Sequence, residues 1–142
     1  MSTEMYKDIV RRWVADGWNQ GNLALVDEMY SPNYTMHDPS LPNQMLVGTE
    51  AFKGFVSAFR TAMPDFHFTI EDLVAEGDKI AWRFTATGTQ KGELMGIPPT
   101  GNKGTATGSV ISRFENGQWT EDWVNWDTLG FLQQLGVIPK MG

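Results

Sequence analysis

The apolar period of this chain changes once, at Pro64. Upstream, large apolar residues recur three and four apart, the repeat of a helix face; downstream they alternate, the repeat of a strand. Met5, Tyr6, Ile9, Val10, Trp13, Val14 and Trp18 form one such stripe, with Lys7, Asp8, Arg11 and Arg12 on the opposite face. Asn19, Gln20 and Gly21 break that helix, and Asn22 is placed to cap a second one carrying Leu23, Leu25, Val26, Met29 and Tyr30, which ends at Ser31 and Pro32. A third helix opens at Gly48, with Phe52, Phe55, Val56, Phe59 and Met63 along one side, and stops at Pro64. Between the second and third helices, residues 34–47 carry Pro39 and Pro42 and read as an edge strand with a loop.

Beyond Pro64, Phe66, Phe68 and Ile70 alternate with His67, Thr69 and Glu71, and Glu76-Gly77-Asp78-Lys79 makes a hairpin turn. Ile80, Trp82, Phe84 and Ala86 then alternate with Ala81, Arg83, Thr85 and Thr87. A long Gly- and Pro-rich connection leads into a second hairpin, residues 105–114 and 118–126 around Glu115-Asn116-Gly117, and a short helix from Thr128 to Leu135 ends at Gly136. Helices first and strands second is the order of an α+β fold.

The length of 142 residues suits one domain, 1–142, with no repeat or linker. Six Trp, eight Phe and eight Met supply more large apolar volume than a plain core of this size needs, so part of it is expected to line a cavity. The net charge of -6, with eleven scattered basic residues, argues against nucleic acid as a partner. No cysteine is present, which removes disulfides and thiolate chemistry. The first residues are polar and no apolar run is long enough to span a bilayer, so a cytoplasmic protein without membrane contact is expected.

Two segments have an order that amphipathic periodicity does not require: GTQKGELMGIPPTG at 88–101 and WVNWDTLGFLQQLG at 123–136. With YTMHDP at 34–39, EGDKIAWR at 76–83 and Arg113-Phe114, they resemble the SnoaL-like polyketide cyclase (ester cyclase) family over nearly the whole chain. The resemblance implies a nuclear-transport-factor-2-like cone, in which N-terminal helices pack on a curved antiparallel or mixed sheet around a central pocket. It also implies an intramolecular aldol ring closure performed by acid and base groups, with no metal and no organic cofactor. Many relatives carry a histidine where this chain has Gln90, and the cyclases use a histidine on a core strand, whereas residues 105–114 contain none. The family's relay therefore does not transfer residue by residue.

Such chemistry needs a base and a donor for the developing oxyanion in a mostly dry pocket. Asp127 is the first candidate base, sharing strand parity with Trp123 and Asn125; the same Asp stands directly before a helix, where an N-cap is the alternative. His37 and Asp38 close an early strand and point to opposite faces, Asp38 also being a turn starter before Pro39. His37 serves as proton shuttle or as a satisfied imidazole. Tyr34, Asn125 and Arg83 are candidate holders of a substrate oxygen, Arg83 also needing a carboxylate such as Asp127, Glu121 or Asp38. Trp18, Phe55, Phe59, Trp123 and Met95 are candidate pocket walls. His67 is expected on the outer face, and no His, Asp and Glu cluster has metal-ligand spacing.

The leading functional expectation is a cofactor-independent lyase or isomerase acting beside a carbonyl in a small, mainly apolar substrate. The alternatives are a non-catalytic binder of a hydrophobic small molecule, a hydrolase on the same cone, and a pure interaction protein. Trp82, Ile111 and Phe114 are expected to form an outer surface on which the chain pairs with a second copy of itself.

Overall fold

The period change at Pro64 divides the molecule as expected, and the computed structural model describes residues 2–140 of it. Helix α1 (Thr3–Arg12) is capped by Ser2, whose side chain accepts from the Met5 N–H. It runs into a π-helical turn, Trp13–Trp18, in which Asn19 N–H bonds to the Val14 carbonyl, five residues back. This wider winding brings residues five apart nearly into line, so Trp13, Val14, Gly17 and Trp18 are all buried. The Asn19 side chain then holds both backbone groups of Phe68, at 2.7 and 3.0 Å, and locks the turn onto the sheet.

Helix α2 (Ala24–Met29) has Leu23 at its N-cap position with no side-chain cap bond, so Asn22 does not play the capping role expected of it. Tyr30, assigned to this helix from the sequence, instead begins strand β1 (Tyr30–His37). After a short 3₁₀ turn (Pro42–Gln44) come β2 (Met45–Val47) and α3 (Thr49–Ala62), which is followed by Pro64. Strands β3 (His67–Glu76), β4 (Lys79–Thr89), β5 (Lys103–Glu115) and β6 (Gln118–Trp126) form a meander, closed by α4 (Thr128–Leu135).

One six-stranded sheet results, in the order β2-β1-β6-β5-β4-β3, antiparallel except where β1 runs parallel beside β6. The edge strands are therefore β2 and β3, and β1 lies inside the sheet. Ile80, Trp82, Phe84, Val110 and Phe114 face the helices and are buried. Trp82 and Phe114, expected on the outer surface, thus belong to the core; Ile111 does stand on the outer face, half exposed.

Gly17 lies flat beneath the Trp13 indole, where an added Cβ would come within 2.0 Å of the ring. Gly17→Ala is expected to destabilise the fold by about 1–3 kcal/mol through this overpacking. Urea unfolding measures it, and an unchanged midpoint would show that the π turn tolerates a side chain there.

Candidate functional site

The inner face of the sheet and helix α3 enclose a cavity of about 80 Å³ whose walls are almost entirely aromatic and aliphatic. Trp13, Trp18 and Phe52 come from the helices, Phe68, Trp82, Phe84 and Val110 from the sheet, and Phe131 from α4. Gly104 admits Phe131, since a Cβ at that position would sit 2.6 Å from its ring. Residues at one end, including Trp13, Tyr30, Phe52 and Trp119, are buried, whereas Phe55, Phe59, Thr87, Val124 and Trp126 keep partial exposure and mark the mouth. Among the described residues, no helix is long and apolar enough to cross a membrane.

Two carboxylates line this cavity, Asp38 and Asp122. Asp122, on β6, lies between Met36 of β1 and Ser112 of β5 and is buried. One carboxylate oxygen, Oδ1, accepts from Ser112 Oγ at 2.5 Å and from Trp119 Nε1 at 2.8 Å; the other, Oδ2, accepts from the Tyr34 hydroxyl. Ser112 is itself held by Trp82 Nε1 at 3.0 Å. A carboxylate offers about four acceptor positions, so these donors leave room for one more partner on Oδ2. Burial pushes the Asp122 carboxyl up to about 6, against the lowering effect of the Ser112, Tyr34 and Trp119 hydrogen bonds and with a further upward push from Glu121.

Tyr30 lines the same cavity, stacked on Trp119 with ring centroids 4.7 Å apart. Its hydroxyl is the one buried side-chain polar atom without a hydrogen-bond partner among the described residues. Burial, and then the Asp122 charge, raise its pKa well above the ordinary phenol value, so it keeps its proton as a donor. Asp38 is tied differently. Its Oδ1 accepts from the Ser40 N–H at 2.8 Å and the Ser40 hydroxyl at 2.7 Å, and Ser40 Oγ accepts from Trp126 Nε1.

The remaining sequence-derived candidates separate by face. Trp18, Phe55 and Phe59 line the cavity, and Tyr34 touches it through Asp122. Asp127 is exposed and caps α4, accepting from the Gly130 N–H at 2.8 Å. Trp123 and Asn125 lie on the outer face with it, because β6 carries a bulge opposite Arg113 and Phe114 that reverses the parity of every residue after Trp119. His37 is also outside, its Nε2 2.6 Å from Glu121 Oε2 and its ring stacked on Trp123. Partial burial raises Glu121, but the His37 and Arg113 hydrogen bonds outweigh it and hold the carboxyl below the usual range. Arg83 pairs with exposed Asp72 on the outer face rather than with Asp127, Glu121 or Asp38. Met95 stands exposed at a loop tip with φ of 55°.

Asp122 and Tyr30 were not among the candidates. Ser112, a small polar residue at an inward position between Val110 and Phe114, is the one sequence signal of a polar group opposite it. Gln90 is fully buried and closes the 88–101 loop on itself, its amide donating to the Ile97 and Pro98 carbonyls and accepting from the Thr100 N–H and hydroxyl.

The sequence profile of the SnoaL-like polyketide cyclase family matches residues 8–135. Among solved structures, TsrD of Streptomyces laurentii is 26% identical, with 97% of this chain and 99% of that one covered and a TM-score of 0.86. AclR of Streptomyces galilaeus, described as a candidate hydroxylase, is 26% identical over 99% of this chain and 91% of that one, with a TM-score of 0.85. A candidate polyketide cyclase of Acidithiobacillus ferrooxidans is 32% identical, covering 96% of this chain and 98% of that one at a TM-score of 0.82. No curated protein matches the chain. The arrangement of helices on a mixed six-stranded sheet is the nuclear-transport-factor-2-like fold expected from the sequence.

The raised carboxyl has a thermodynamic signature. The folded state holds a proton on Asp122 up to about pH 6, while an unfolded Asp releases it near 3.8, so the ionised residue costs stability at neutral pH and that cost is relieved as pH falls through 6 toward 4. Between pH 7 and pH 4 the wild type is expected to gain about 2–3 kcal/mol relative to Asp122→Asn. Urea unfolding of both proteins across this range tests it, and parallel stability curves would refute it.

Proposed function

This chain belongs to the SnoaL-like polyketide cyclase family, and on that premise we propose that it is a cofactor-independent acid/base catalyst whose working carboxylate is Asp122. The supporting observation is a buried carboxyl, raised to about 6, on the wall of an apolar cavity. Dry surroundings make an ionised carboxylate a stronger base and let the same group return the proton near neutral pH.

In this reading Asp122 removes a proton from the carbon beside a substrate carbonyl, and the negative charge that develops on the carbonyl oxygen accepts from the unpaired Tyr30 hydroxyl. In an aldol closure the enolate carbon attacks a second carbonyl, a C–C bond forms, and the new alkoxide takes the proton back from Asp122. Isomerisation uses the same two transfers, with the proton returned to another carbon. Tyr34, Ser112 and Trp119 orient the carboxylate, and Asp38 supplies a second polar contact within the cavity.

Cavity size bears on the substrate. About 80 Å³ is roughly half of an engineered 150 Å³ cavity that accepts benzene, so the closed end takes the reacting carbonyl portion while the rest of the molecule lies toward Phe59 and Trp126. The walls call for an apolar substrate.

Exchange of α-protons from small enolisable ketones into D₂O, followed by NMR, tests the proposal without knowledge of the natural substrate. Wild-type exchange is expected to rise with pH through about 6 and level off, since the base must be ionised. Asp122→Asn is expected to lower the rate about 10²–10⁴-fold, the range of a positioned general base. Tyr30→Phe should slow exchange while leaving the fold at least as stable, because the hydroxyl it removes has no partner to lose. Ligand binding with exchange unaffected by Asp122→Asn would favour the non-catalytic binding reading instead.

A further inference from the structure

The cavity holds a second carboxylate, which takes no proton in the chemistry above. Asp38 stands just past the end of β1, two positions beyond Met36, so the parity that buries Met36 turns Asp38 inward as well; it is 2% exposed. It is held as Asp122 is held. Trp82 Nε1 donates to Ser112 Oγ, which donates to Asp122 Oδ1; Trp126 Nε1 donates to Ser40 Oγ at 3.1 Å, which donates to Asp38 Oδ1 at 2.7 Å. Each acid is thus oriented by a serine that a tryptophan of the cavity wall orients in turn. The two differ in what is left over. Both donors to Asp38 come from Ser40 and both fall on Oδ1, while no described residue donates to Oδ2. The nearby cations are engaged elsewhere, Arg83 with Asp72 and Arg113 with Glu115 and Glu121.

We propose that Asp38 Oδ2 accepts a hydrogen bond from a hydroxyl of the substrate, so that the site selects carbonyl compounds carrying a hydroxyl on an otherwise apolar body. This rests on the reading in which Asp122 and Tyr30 receive the carbonyl end. Met36 lies beside Asp122 across the parallel β1–β6 pair, and Asp38 is two residues farther along. With a rise of about 3.3 Å per residue and strands about 4.8 Å apart, the Cα atoms of the two acids lie roughly 8 Å from each other on one face. The hydroxyl therefore sits several bonds from the carbonyl, on the side of Trp126 and the mouth.

A hydroxyl suits this position better than an ammonium, because bringing a cation into walls this apolar costs far more than bringing in a neutral donor. An oxygen that cannot donate leaves Oδ2 without a partner in an apolar enclosure, so selection works by rejection as much as by attraction.

The experiment compares cyclohexanone, its analogue with a hydroxyl on the ring carbon opposite the carbonyl, and the methyl ether of that analogue. Affinity is measured by isothermal titration calorimetry, and α-proton exchange by NMR in the same samples. The wild type is expected to bind the hydroxy ketone about 10-fold or more tighter than either of the others, the effect of a hydrogen bond to a carboxylate. The unsubstituted ketone shows whether the ether is merely too large. In Asp38→Asn the Ser40 donors hold the amide oxygen at the Oδ1 position, which places the amide nitrogen, a donor, where Oδ2 was. That variant keeps the Ser40 hydrogen bonds and is expected to bring the affinity ratios to within about threefold of one; the wild-type ratios stand without it. No binding of the hydroxy ketone, no preference for it in the wild type, or a preference that survives Asp38→Asn would each overturn the assignment, even with Asp122-dependent exchange intact. A preference lost in Asp38→Asn, with no exchange by the wild type, would uphold Asp38 and remove the catalytic role of Asp122 instead.

Discussion

A carboxylate held among tryptophans and tyrosines is the constraint around which this molecule is arranged. Left without partners, an ionised Asp122 at that depth would cost several kcal/mol. Its partners come from three different strands: Tyr34 on β1, Ser112 on β5 and Trp119 on β6, with Trp82 of β4 holding Ser112 in turn. The network therefore joins four adjacent strands across the sheet, and the parallel β1–β6 pairing brings Tyr34 within reach. The bulge in β6 is equally necessary, since it turns both Trp119 and Asp122 inward although they are three residues apart.

The rest of the cavity can be read as the means of keeping that carboxylate dry. The π turn directs Trp13 and Trp18 to the same side, Asn19 pins the turn to β3, and α3 contributes Phe52, Phe55 and Phe59. Phe59 and Trp126 approach edge to face at 6.5 Å where the walls become partly exposed. An acid at the closed end, a free phenol beside it and an apolar mouth are the features on which the proposed recognition of a single carbonyl oxygen on a mainly apolar body rests.

Much of this architecture was legible in the sequence, because period and turn chemistry act locally. The change of period at Pro64, the Gly77-Asp78 and Asn116-Gly117 turns, and the aromatic stripe of α3 all appear where spacing predicts them. The site was less legible, for a reason confined to β6. That strand carries Trp119, Trp123 and Trp126, so apolar alternation does not decide which face looks inward, and one bulged residue reverses the answer for everything beyond it. Asp127, Asn125 and Trp123 were thus expected inside, while Asp122 escaped notice. Arg83 found Asp72 because a second bulge, in β3, sets that acid directly opposite it. Tyr30 was hidden by its position at a helix-to-strand junction, where neither period holds.

Carbon-13 NMR titration of the Asp122 side-chain carboxyl, assigned by its loss in Asp122→Asn, tests most directly whether this residue is a desolvated acid. A midpoint near 6, shifting when a small carbonyl ligand enters the cavity, is the result predicted here. A midpoint near the ordinary Asp value of about 4, unmoved by ligand, would mean that water and the three donors leave Asp122 an unexceptional structural carboxylate, and the catalytic reading would fall with it.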